Sequence, residues 1–242
     1  MPIAIHTYVS VDELKGWLGI TGSAQDTNLT YALEAATNLI DEFCGRVFYV
    51  PKDSGTDVLQ TRYYDCEFSD YVTVDDISTT TGLVVQTLHS DGTVDQTLTI
   101  NDDFYLYPLN SYEQQPSMPA DKIVMNIEGS GKILPTNHLR GLKIQAYFGF
   151  PTQGEGNNHQ PPAVTQACLI QSARFWQRKN SPMGFSGNPE TGQAPVIFLT
   201  SLDPDVKTIL SHYKKSTTTL ASGRPYVGLT AINNNRLYGV WN

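Results

Sequence analysis

Apolar residues recur at three- and four-residue intervals in two segments near the start of the chain, which is the spacing of an amphipathic helix. In the first segment, Ser10 and Glu13 have the spacing of a capping box, and Gly19 marks the expected end of the helix. The second segment begins around residues 23–26, and Gly45 is placed to follow its last turn. Its apolar stripe consists of Leu29, Leu33, Ala36, Leu39, Ile40 and Phe43. Two helices are therefore predicted before residue 50.

After Pro51 the pattern changes to the alternation and β-branched composition that are typical of strands. The predicted strand segments are Val58–Tyr64, Tyr71–Val74, Leu83–Leu88, Val94–Ile100, Phe104–Tyr107, Lys122–Ile127 and Leu142–Phe148. Asp91-Gly92 separates the third segment from the fourth and predicts a hairpin turn. Residues 55–150 are thus expected to form a small antiparallel β domain of about six or seven strands.

Two further helices are predicted after this block. Pro161-Pro162 opens the third, and one of its faces consists of Val164, Ala167, Cys168, Gln171 and Phe175. Residues 181–198 are rich in Gly and Pro and predict a long loop. Asp203 and Pro204 are a suitable N-cap and first residue for the fourth helix, which is expected to end at Lys214-Lys215. The stripe of this helix consists of Val206, Ile209, Leu210 and Tyr213.

Helices this short need tertiary packing, so the two pairs are expected to form one core, with the β block inserted between them. We therefore predict an α+β fold: a four-helix core made of two N-terminal and two C-terminal helices, an inserted antiparallel β domain and an extended C-terminal arm. The predicted divisions are an N-terminal helical half at 1–50, the β domain at 51–160, a C-terminal helical half at 161–215 and the arm at 216–242.

Charge is distributed unevenly along the chain. The 242 residues have a formal net charge of −8, yet residues 206–242 contain five basic and no acidic residues, so residues 1–205 have a net charge of −13. A pI near 5.0 argues against a protein that binds nucleic acid through a basic surface. Beyond Lys215 the chain shows no helix or strand period, but it contains several aromatic and aliphatic residues. This combination favours an arm that becomes ordered on a partner over a frayed terminus.

Cysteine usage and the N-terminal sequence indicate an intracellular place of synthesis. Cys44, Cys66 and Cys168 are widely spaced and form no CxxC pair, so buried thiols are expected rather than a disulfide frame or a zinc site. The N-terminal residues lack the basic region and apolar run of an export signal, and no stretch is long enough for a membrane span. We expect a protein that is made and folded in a cytosol and has no membrane partner.

No motif in the sequence indicates catalysis. Gly129–Ile133 contains a Gly-Lys pair but lacks the spacing of a phosphate-binding loop, and Gly184–Gly187 lacks the spacing of a nucleophile elbow. The five histidines are far apart and are expected on the surface or in loops. Asp75-Asp76 and Asn101–Asp103 lack EF-hand spacing and are expected to be solvated turn residues. We predict no catalytic residues, no metal site, no cofactor and no enzymatic activity, with a site assembled from scattered residues left as the open alternative.

Several motifs, in their order, resemble the head–tail connector, or adaptor, proteins of long-tailed bacteriophages. The resemblance begins at Tyr8–Ile20, with a hydroxyl-capped ELKGWL helix, and continues in the helix from Leu29 to Phe48. It continues in the Ala-rich helix after Pro161-Pro162 and in Ala173–Arg178, and then in Asp203–Lys215. It covers most of residues 8–215, and its weight comes from the order of the motifs.

This resemblance implies a structural subunit of a ring, commonly dodecameric, that docks beneath the portal protein, extends the DNA channel and offers an attachment site for the stopper or tail-completion protein. Genomic DNA would pass through the lumen without specific binding. The protein would be located in the virion neck and made in the host bacterial cytoplasm. Because C-terminal segments of the family reach onto the portal, the arm is the expected portal-binding segment. Its candidate contact residues are Arg224, Tyr226, Leu229, Arg236, Tyr238 and Trp241.

Two other functions stay open at this point. One is a tail-completion or stopper ring protein, which would assemble after the connector. The other is a glycan- or host-surface-binding module in the β domain, favoured by its tyrosines, Tyr63, Tyr64, Tyr71, Tyr105 and Tyr107.

Overall fold

A computed structural model describes residues 6–113, 117–153, 159–178, 185–186, 196–197 and 202–215. The α-helices in these residues are α1 Val11–Leu18, α2 Asp26–Cys44, α3 Ile127–Ser130, α4 Pro162–Arg178 and α5 Pro204–Leu210. The strands are β1 Lys52–Asp53, β2 Thr56–Asp57, β3 Gln60–Tyr64, β4 Tyr71–Ile77, β5 Val84–Leu88, β6 Val94–Leu98, β7 Phe104–Tyr107, β8 Ala120–Met125, β9 Leu142–Ala146, β10 Phe185–Ser186 and β11 Val196–Ile197. In this part of the chain, none of the helices is long and apolar enough to cross a membrane.

The ends of the first two helices follow the local sequence signals. Ser10 Oγ accepts a hydrogen bond from Glu13 N at 3.2 Å, and Glu13 Oε2 accepts one from Ser10 N at 2.8 Å, which completes the capping box. Gly19 and Gly45 follow α1 and α2 with φ angles of 67° and 65°, a left-handed conformation that glycine adopts without strain. The predicted boundaries of both helices are confirmed.

The end of the last helix differs from the prediction. α5 stops at Leu210 and the chain continues as a single 3₁₀ turn, Ser211–Tyr213, instead of an α-helix to Lys214-Lys215. Ser211 Oγ donates a hydrogen bond to Thr208 O at 2.8 Å, and such local bonding accompanies a tighter turn at a helix end. The turn places the ring of Tyr213 in the hydrophobic core.

All seven predicted strand segments form strands of two antiparallel sheets. One sheet has the order β3-β9-β5-β6 and the other has the order β4-β8-β7. The turn at Asp91-Gly92 joins β5 to β6, and Asp91 Oδ1 accepts a hydrogen bond from Thr93 N at 2.9 Å, so the predicted hairpin is confirmed. The predicted loop 181–198 contains the short ladder β10-β11, and β1-β2 is a second unpredicted pair. Ladders of two residues are too short to leave an alternating pattern in the sequence.

The buried hydrophobic residues of the described segments form two clusters. The helical cluster is contributed by α1, α2, α4 and α5 and by the segments beside them, and includes Leu14, Leu33, Ile40, Phe48, Phe150, Cys168, Val206 and Leu210. The sheet cluster joins the two larger sheets, and includes Val72, Ile77, Val85, Phe104, Ile123, Leu142, Ile144 and Phe148. Full burial of each Leu, Ile or Phe side chain stabilises the fold by about 1.5–3 kcal/mol.

The fold is therefore α+β with antiparallel sheets, as predicted. The described residues contain five α-helices rather than four, because α3 forms a single turn between β8 and β9. Sequence periodicity missed α3 because four residues are too few to show a repeat. The proposed divisions after residues 50, 160 and 215 stay predictions.

Gly149 connects the two clusters. Phe148 belongs to the sheet cluster and Phe150 to the helical cluster, so the chain passes from one to the other within three residues. Gly149 has a φ of +141°, and a Cβ atom at this position would lie 2.0 Å from the carbonyl oxygen of Tyr49. Glycine is required here because the two backbone segments approach too closely for any side chain.

Candidate functional site

The described part of the chain ends at the root of the predicted arm. Arg224, Tyr226, Leu229, Arg236, Tyr238 and Trp241 all lie outside the described residues, so their assignment to portal binding stays a prediction. The last described residue, Lys215, is held by two backbone carbonyls from different elements. Its N–H donates to Cys44 O at 2.7 Å, and its Nζ donates to Val74 O at 3.1 Å. These bonds fix the point from which residues 216–242 leave, between the end of α2 and β4.

A group of three charged side chains surrounds this root. Arg46 Nε lies 3.6 Å from Asp76 Oδ2, and Lys215 Nζ lies 3.3 Å from Asp76 Oδ1. The side chains of Arg46 and Asp76 are 5% and 6% exposed, and that of Lys215 is 21% exposed. Burial raises the pKa of Asp76, and this outweighs the opposite effect of Arg46 and Lys215. We call these three residues the root triad.

A cavity of about 300 Å³ adjoins the root triad. It is lined by residues that follow α2, by β3 and β4, by Phe148-Gly149 and by Lys215. Arg62 projects into its wall from β3. Its guanidinium donates to Asp75 Oδ2 at 2.7 Å and lies 4.2 Å from the ring centroid of Phe148. The cavity thus lies where the helical cluster, the sheets and the root of the C-terminal segment meet.

The helical part of the molecule has exposed aromatic residues, and its N-terminal and C-terminal halves have net charges of opposite sign. Trp17 on α1 is 51% exposed and Tyr31 on α2 is 64% exposed. Residues 1–50 contain six acidic and two basic residues, a net charge of −4, whereas residues 161–215 contain three acidic and six basic residues, a net charge of +3. Large exposed aromatics beside unequal charge are typical of surfaces that bind other proteins.

The tyrosines that favoured a glycan-binding surface are divided between the two sheets. Tyr63 and Tyr64 lie on β3, whereas Tyr71 and Tyr105 lie in the other sheet, on either side of Val124 in β8. Tyr71 is buried, and the Tyr64 hydroxyl donates to Asp75 Oδ2 at 2.9 Å. Tyr107 lies two residues after Tyr105 on β7. The structure therefore divides the five tyrosines between two sheets and does not bring all of them together on one surface.

The Gly-Lys pair at 131–132 directly follows the last residue of α3. Asn126 Oδ1 caps α3 by accepting a bond from Gly129 N, and Gly131 ends it with a φ of 70°. Lys132 Nζ lies 2.7 Å from Asp103 Oδ2, so this ammonium group faces a carboxylate and not an open phosphate cradle.

Two acids and one histidine are more buried than the sequence suggested. Asp76 lies in β4 rather than in a turn, and it is buried. Asp103 lies in a turn, as predicted, but it is buried beside Lys132 rather than solvated. His159 lies between β9 and α4, outside any helix or strand, which agrees with the expected loop position. Its ring is nevertheless buried, with Nε2 2.9 Å from Asp57 Oδ2. Each of the three has an ionisable partner nearby: Lys132 for Asp103, Asp57 for His159, and Arg46 and Lys215 for Asp76.

The thiols are buried, as expected, and the described residues contain no group of three or more His, Cys, Asp or Glu side chains suited to a metal ion. Burial raises the pKa of Cys44 to about 12 and that of Cys66 to about 11. Burial also raises the pKa of Cys168, which lies 3.9 Å from Thr37 Oγ1. Thiols with raised pKa values are poor nucleophiles and act as small apolar side chains.

Comparison with known proteins links the N-terminal part of this structure to one family. Residues 8–74 match the family model described as "Phage gp6-like head-tail connector protein". The match spans α1, α2, β1–β3 and the beginning of β4. The resemblance of this segment to head–tail connectors is therefore confirmed. The family match does not extend to the motifs of residues 161–215.

The fold as a whole is similar to a chain from a solved structure, the neck of an empty GTA (gene transfer agent) particle computed with C6 symmetry. The TM-score is 0.51 at 16% sequence identity, and the match covers 86% of this chain and 90% of that chain. An identity this low shows a shared fold. No curated protein matches the sequence.

Proposed function

We propose that this chain is a structural head-to-tail connector, or adaptor, in the neck of a phage-like virion. One observation carries the proposal: the family match covers α1 and α2, whose residues contribute much of the helical cluster. The fold similarity to a neck component extends the support to most of the chain. A structural role, rather than catalysis, agrees with the family description.

The helical region is proposed to form the wall of a ring. In this proposal α1, α2, α4 and α5 act as a four-helix core, and neighbouring copies meet head to tail through two different surfaces. The opposite net charges of residues 1–50 and 161–215 suit such a contact, with the exposed Trp17 and Tyr31 as apolar anchors. We propose twelve copies, a number that is compatible with sixfold symmetry in a neck.

The inserted β domain supplies most of the negative charge. Residues 51–160 contain fifteen acidic and six basic residues, a net charge of −9. A ring with this charge would repel the DNA backbone, because no phosphate is neutralised and no counterion is released. We propose that genomic DNA passes through the ring without specific binding.

The C-terminal segment is proposed to bind the portal. Lys215 sets its starting point between α2 and β4, and residues 216–242 contain two arginines and no acidic residue. Arg224, Tyr226, Tyr238 and Trp241 are of the residue types that most often dominate interface energies. The opposite face of the ring would receive the stopper or tail-completion protein. The protein would be made in the bacterial cytoplasm and function in the virion.

The test is binding of the purified chain to portal particles from its own virus, measured by co-sedimentation and electron microscopy. Deletion of residues 216–242 should leave a folded protein that no longer binds. Within the full chain, replacement of Tyr226, Tyr238 and Trp241 by Ala should weaken binding at least tenfold, because aromatic anchors supply much of an interface's free energy. The matched control replaces Asn233, Asn234 and Asn235 by Ala and should bind normally.

Different outcomes would refute the portal-binding role of the arm and the connector role of the whole chain. Normal portal binding by the truncated protein would refute the arm assignment and leave the ring proposal standing. Virions that assemble DNA-filled heads with attached tails in the absence of this chain would refute the connector role itself. A chain that binds only preformed connector rings, and not the portal, would instead be a stopper or tail-completion protein.

A further inference from the structure

Arg46 has donor atoms that no side chain or carbonyl in the described residues satisfies. Its Nε and Nη1 are both buried and without a hydrogen-bond partner. The nearest carboxylate oxygen, Asp76 Oδ2, lies 3.6 Å from Nε, beyond normal hydrogen-bond distance. The guanidinium carbon lies 6.0 Å from the centroid of the Phe150 ring, which supplies no acceptor oxygen. Unpaired buried donors are costly, and a guanidinium group is the most demanding case.

The root triad also has an excess of positive charge. Three cations that line the adjoining cavity, Arg46, Arg62 and Lys215, outnumber its two lining carboxylates, Asp75 and Asp76, so the charged lining residues have a net charge of +1. The neighbouring pair in the same cavity is balanced, because Asp75 accepts bonds from both Arg62 and the Tyr64 hydroxyl. Uncompensated buried charge destabilises a protein unless a counter-ion completes the group.

The adjoining cavity has room for such a counter-ion. Its volume of about 300 Å³ equals that of about ten water molecules, and it lies at the lower end of the range for small-molecule sites. Its walls place Arg46, Arg62 and Lys215 around one space. Planar guanidinium groups bind carboxylates and phosphates through charge-assisted hydrogen bonds.

We propose that this cavity binds a small oxyanion, a phosphate or a carboxylate, with Arg46 as its principal ligand. The anion satisfies the free donors of Arg46 and neutralises the excess charge of the root triad. Asp75 and Asp76 limit the affinity, which is expected in the roughly millimolar range. The inference is independent of the proposed neck function, because it concerns the purified chain alone.

The test is a titration of the ¹⁵N-labelled full chain with sodium phosphate and, separately, with sodium acetate, each at ionic strength held constant with sodium chloride. Saturable shifts are expected at the backbone amides of Gly45, Arg46 and Gly149. Arg46→Gln should raise the dissociation constant at least tenfold. Arg140→Gln is the matched control, because Arg140 is exposed and stacks on Tyr63, 4.1 Å from its ring centroid. If Arg46→Gln does not fold, Lys215→Gln, which changes another wall of the cavity, replaces it and should also raise the dissociation constant.

The two salts distinguish the source of the oxyanion. Saturation by phosphate alone identifies a phosphate site, and saturation by acetate identifies a site that also accepts carboxylates such as acidic side chains. Shifts that are linear, spread over the surface or identical in Arg46→Gln and wild type would overturn the proposal. Absence of shifts with both salts would overturn it as well.

Discussion

The helical cluster and the sheet cluster differ in how far apart along the chain their residues lie. The buried members of the sheet cluster all come from one continuous stretch, from Cys66 to Phe148. The buried members of the helical cluster come from two stretches on either side of it, Tyr8–Phe48 and Phe150–Tyr213. The helical cluster therefore forms only when the two stretches that flank the β domain pack together, whereas all strands of the sheet cluster come from one stretch. Contacts between residues far apart along the chain form more slowly, because a longer loop must be closed first.

The pKa of one carboxylate in the helical part and that of one carboxylate in the β domain are shifted in opposite directions. In the helical part, the Tyr8 hydroxyl donates to Asp41 Oδ1 at 2.5 Å and accepts a bond from Phe48 N, and burial raises the pKa of Asp41 to about 6. In the turn between β6 and β7, Lys132 and the backbone N–H of Thr99 hold the pKa of Asp103 below its usual value. Ionised Asp41 therefore destabilises the folded protein, whereas ionised Asp103 stabilises it.

The largest expected effect comes from removing one buried ring in each cluster. Phe48 packs against Phe150 at 5.0 Å between ring centroids and against Tyr8 and Tyr213 at 5.8 Å, whereas Phe104 is buried between the sheets. Phe48→Ala and Phe104→Ala should each lower the free energy of unfolding by about 3–5 kcal/mol. Urea denaturation measures this change.

Hydrogen exchange then shows whether the clusters open separately. Phe48→Ala should increase exchange in α2 and α4 while β4 and β8 stay protected, and Phe104→Ala should do the reverse. Equal loss of protection in all four elements, in both variants, would mean that the two clusters unfold as a single cooperative unit and not separately.

Gly149→Ala should destabilise both clusters, because the added Cβ meets the Tyr49 carbonyl oxygen and φ is strongly positive. We expect a loss of about 3 kcal/mol. Gly92→Ala is the control, since Gly92 also has a positive φ, 85°, but no atom within 4 Å of an added Cβ. Its loss should be about 1 kcal/mol. Equal losses in a thermal or urea denaturation series would show that the close approach at residue 149 is unimportant.

Asp41→Asn tests the partly buried carboxylate of α2. The pKa of Asp41 is about 6 in the folded protein and 3.8 as its ordinary value, so ionisation opposes folding above pH 6 and this cost disappears as the pH falls towards 4. The variant keeps an acceptor for Tyr8 and should be about 2 kcal/mol more stable than wild type at pH 7.5, with no difference near pH 4. Urea denaturation at both pH values measures this, with Glu42→Gln as the exposed control on the same helix. A variant that is less stable at pH 7.5 would contradict the assignment.

Asp103→Asn should have the opposite sign. A lowered pKa means that ionised Asp103 stabilises the folded protein above its ordinary pKa, and that this contribution is lost as the pH falls through the folded value. The variant should be less stable than wild type at pH 7, by less than the Asp41 effect, and the difference should shrink below about pH 4. The same denaturation series checks the sign. A stabilising effect at pH 7 would remove the contrast between the two carboxylates.

The sequence predicted elements whose signals lie within a few residues. The capping box at Ser10 and the strand pattern of the sheets are local, and so is the turn at Asp91-Gly92, which the structure confirms. The order of the connector-like motifs also identified the N-terminal segment that the family match covers. Backbone geometry and short-range hydrogen bonding determine these features, so they can be recognised without knowledge of tertiary contacts.

The root triad could not be predicted from the sequence. Arg46, Asp76 and Lys215 are 30 to 169 residues apart, and only the docking of the helical core against the sheets brings them together. Asp76 was expected to be a solvated turn residue because Asp75-Asp76 lacks the spacing of a cation site, yet it lies in β4 and faces two cations. Arg46 directly follows Gly45, the glycine that ends α2, but this position alone does not indicate which residues Arg46 contacts.

The smallest expected effect concerns the local motif at the start of the helical core. Ser10→Ala removes the acceptor for Glu13 N at the N-terminus of α1 and should lower the free energy of unfolding by about 1 kcal/mol. Because the capping box is local, hydrogen exchange should increase in α1 but not in β4 or β8. Ser10→Asp retains an acceptor and should restore most of the loss. If Ser10→Ala instead raised exchange throughout both clusters, the first helix would be coupled to the sheets as tightly as to the helical core.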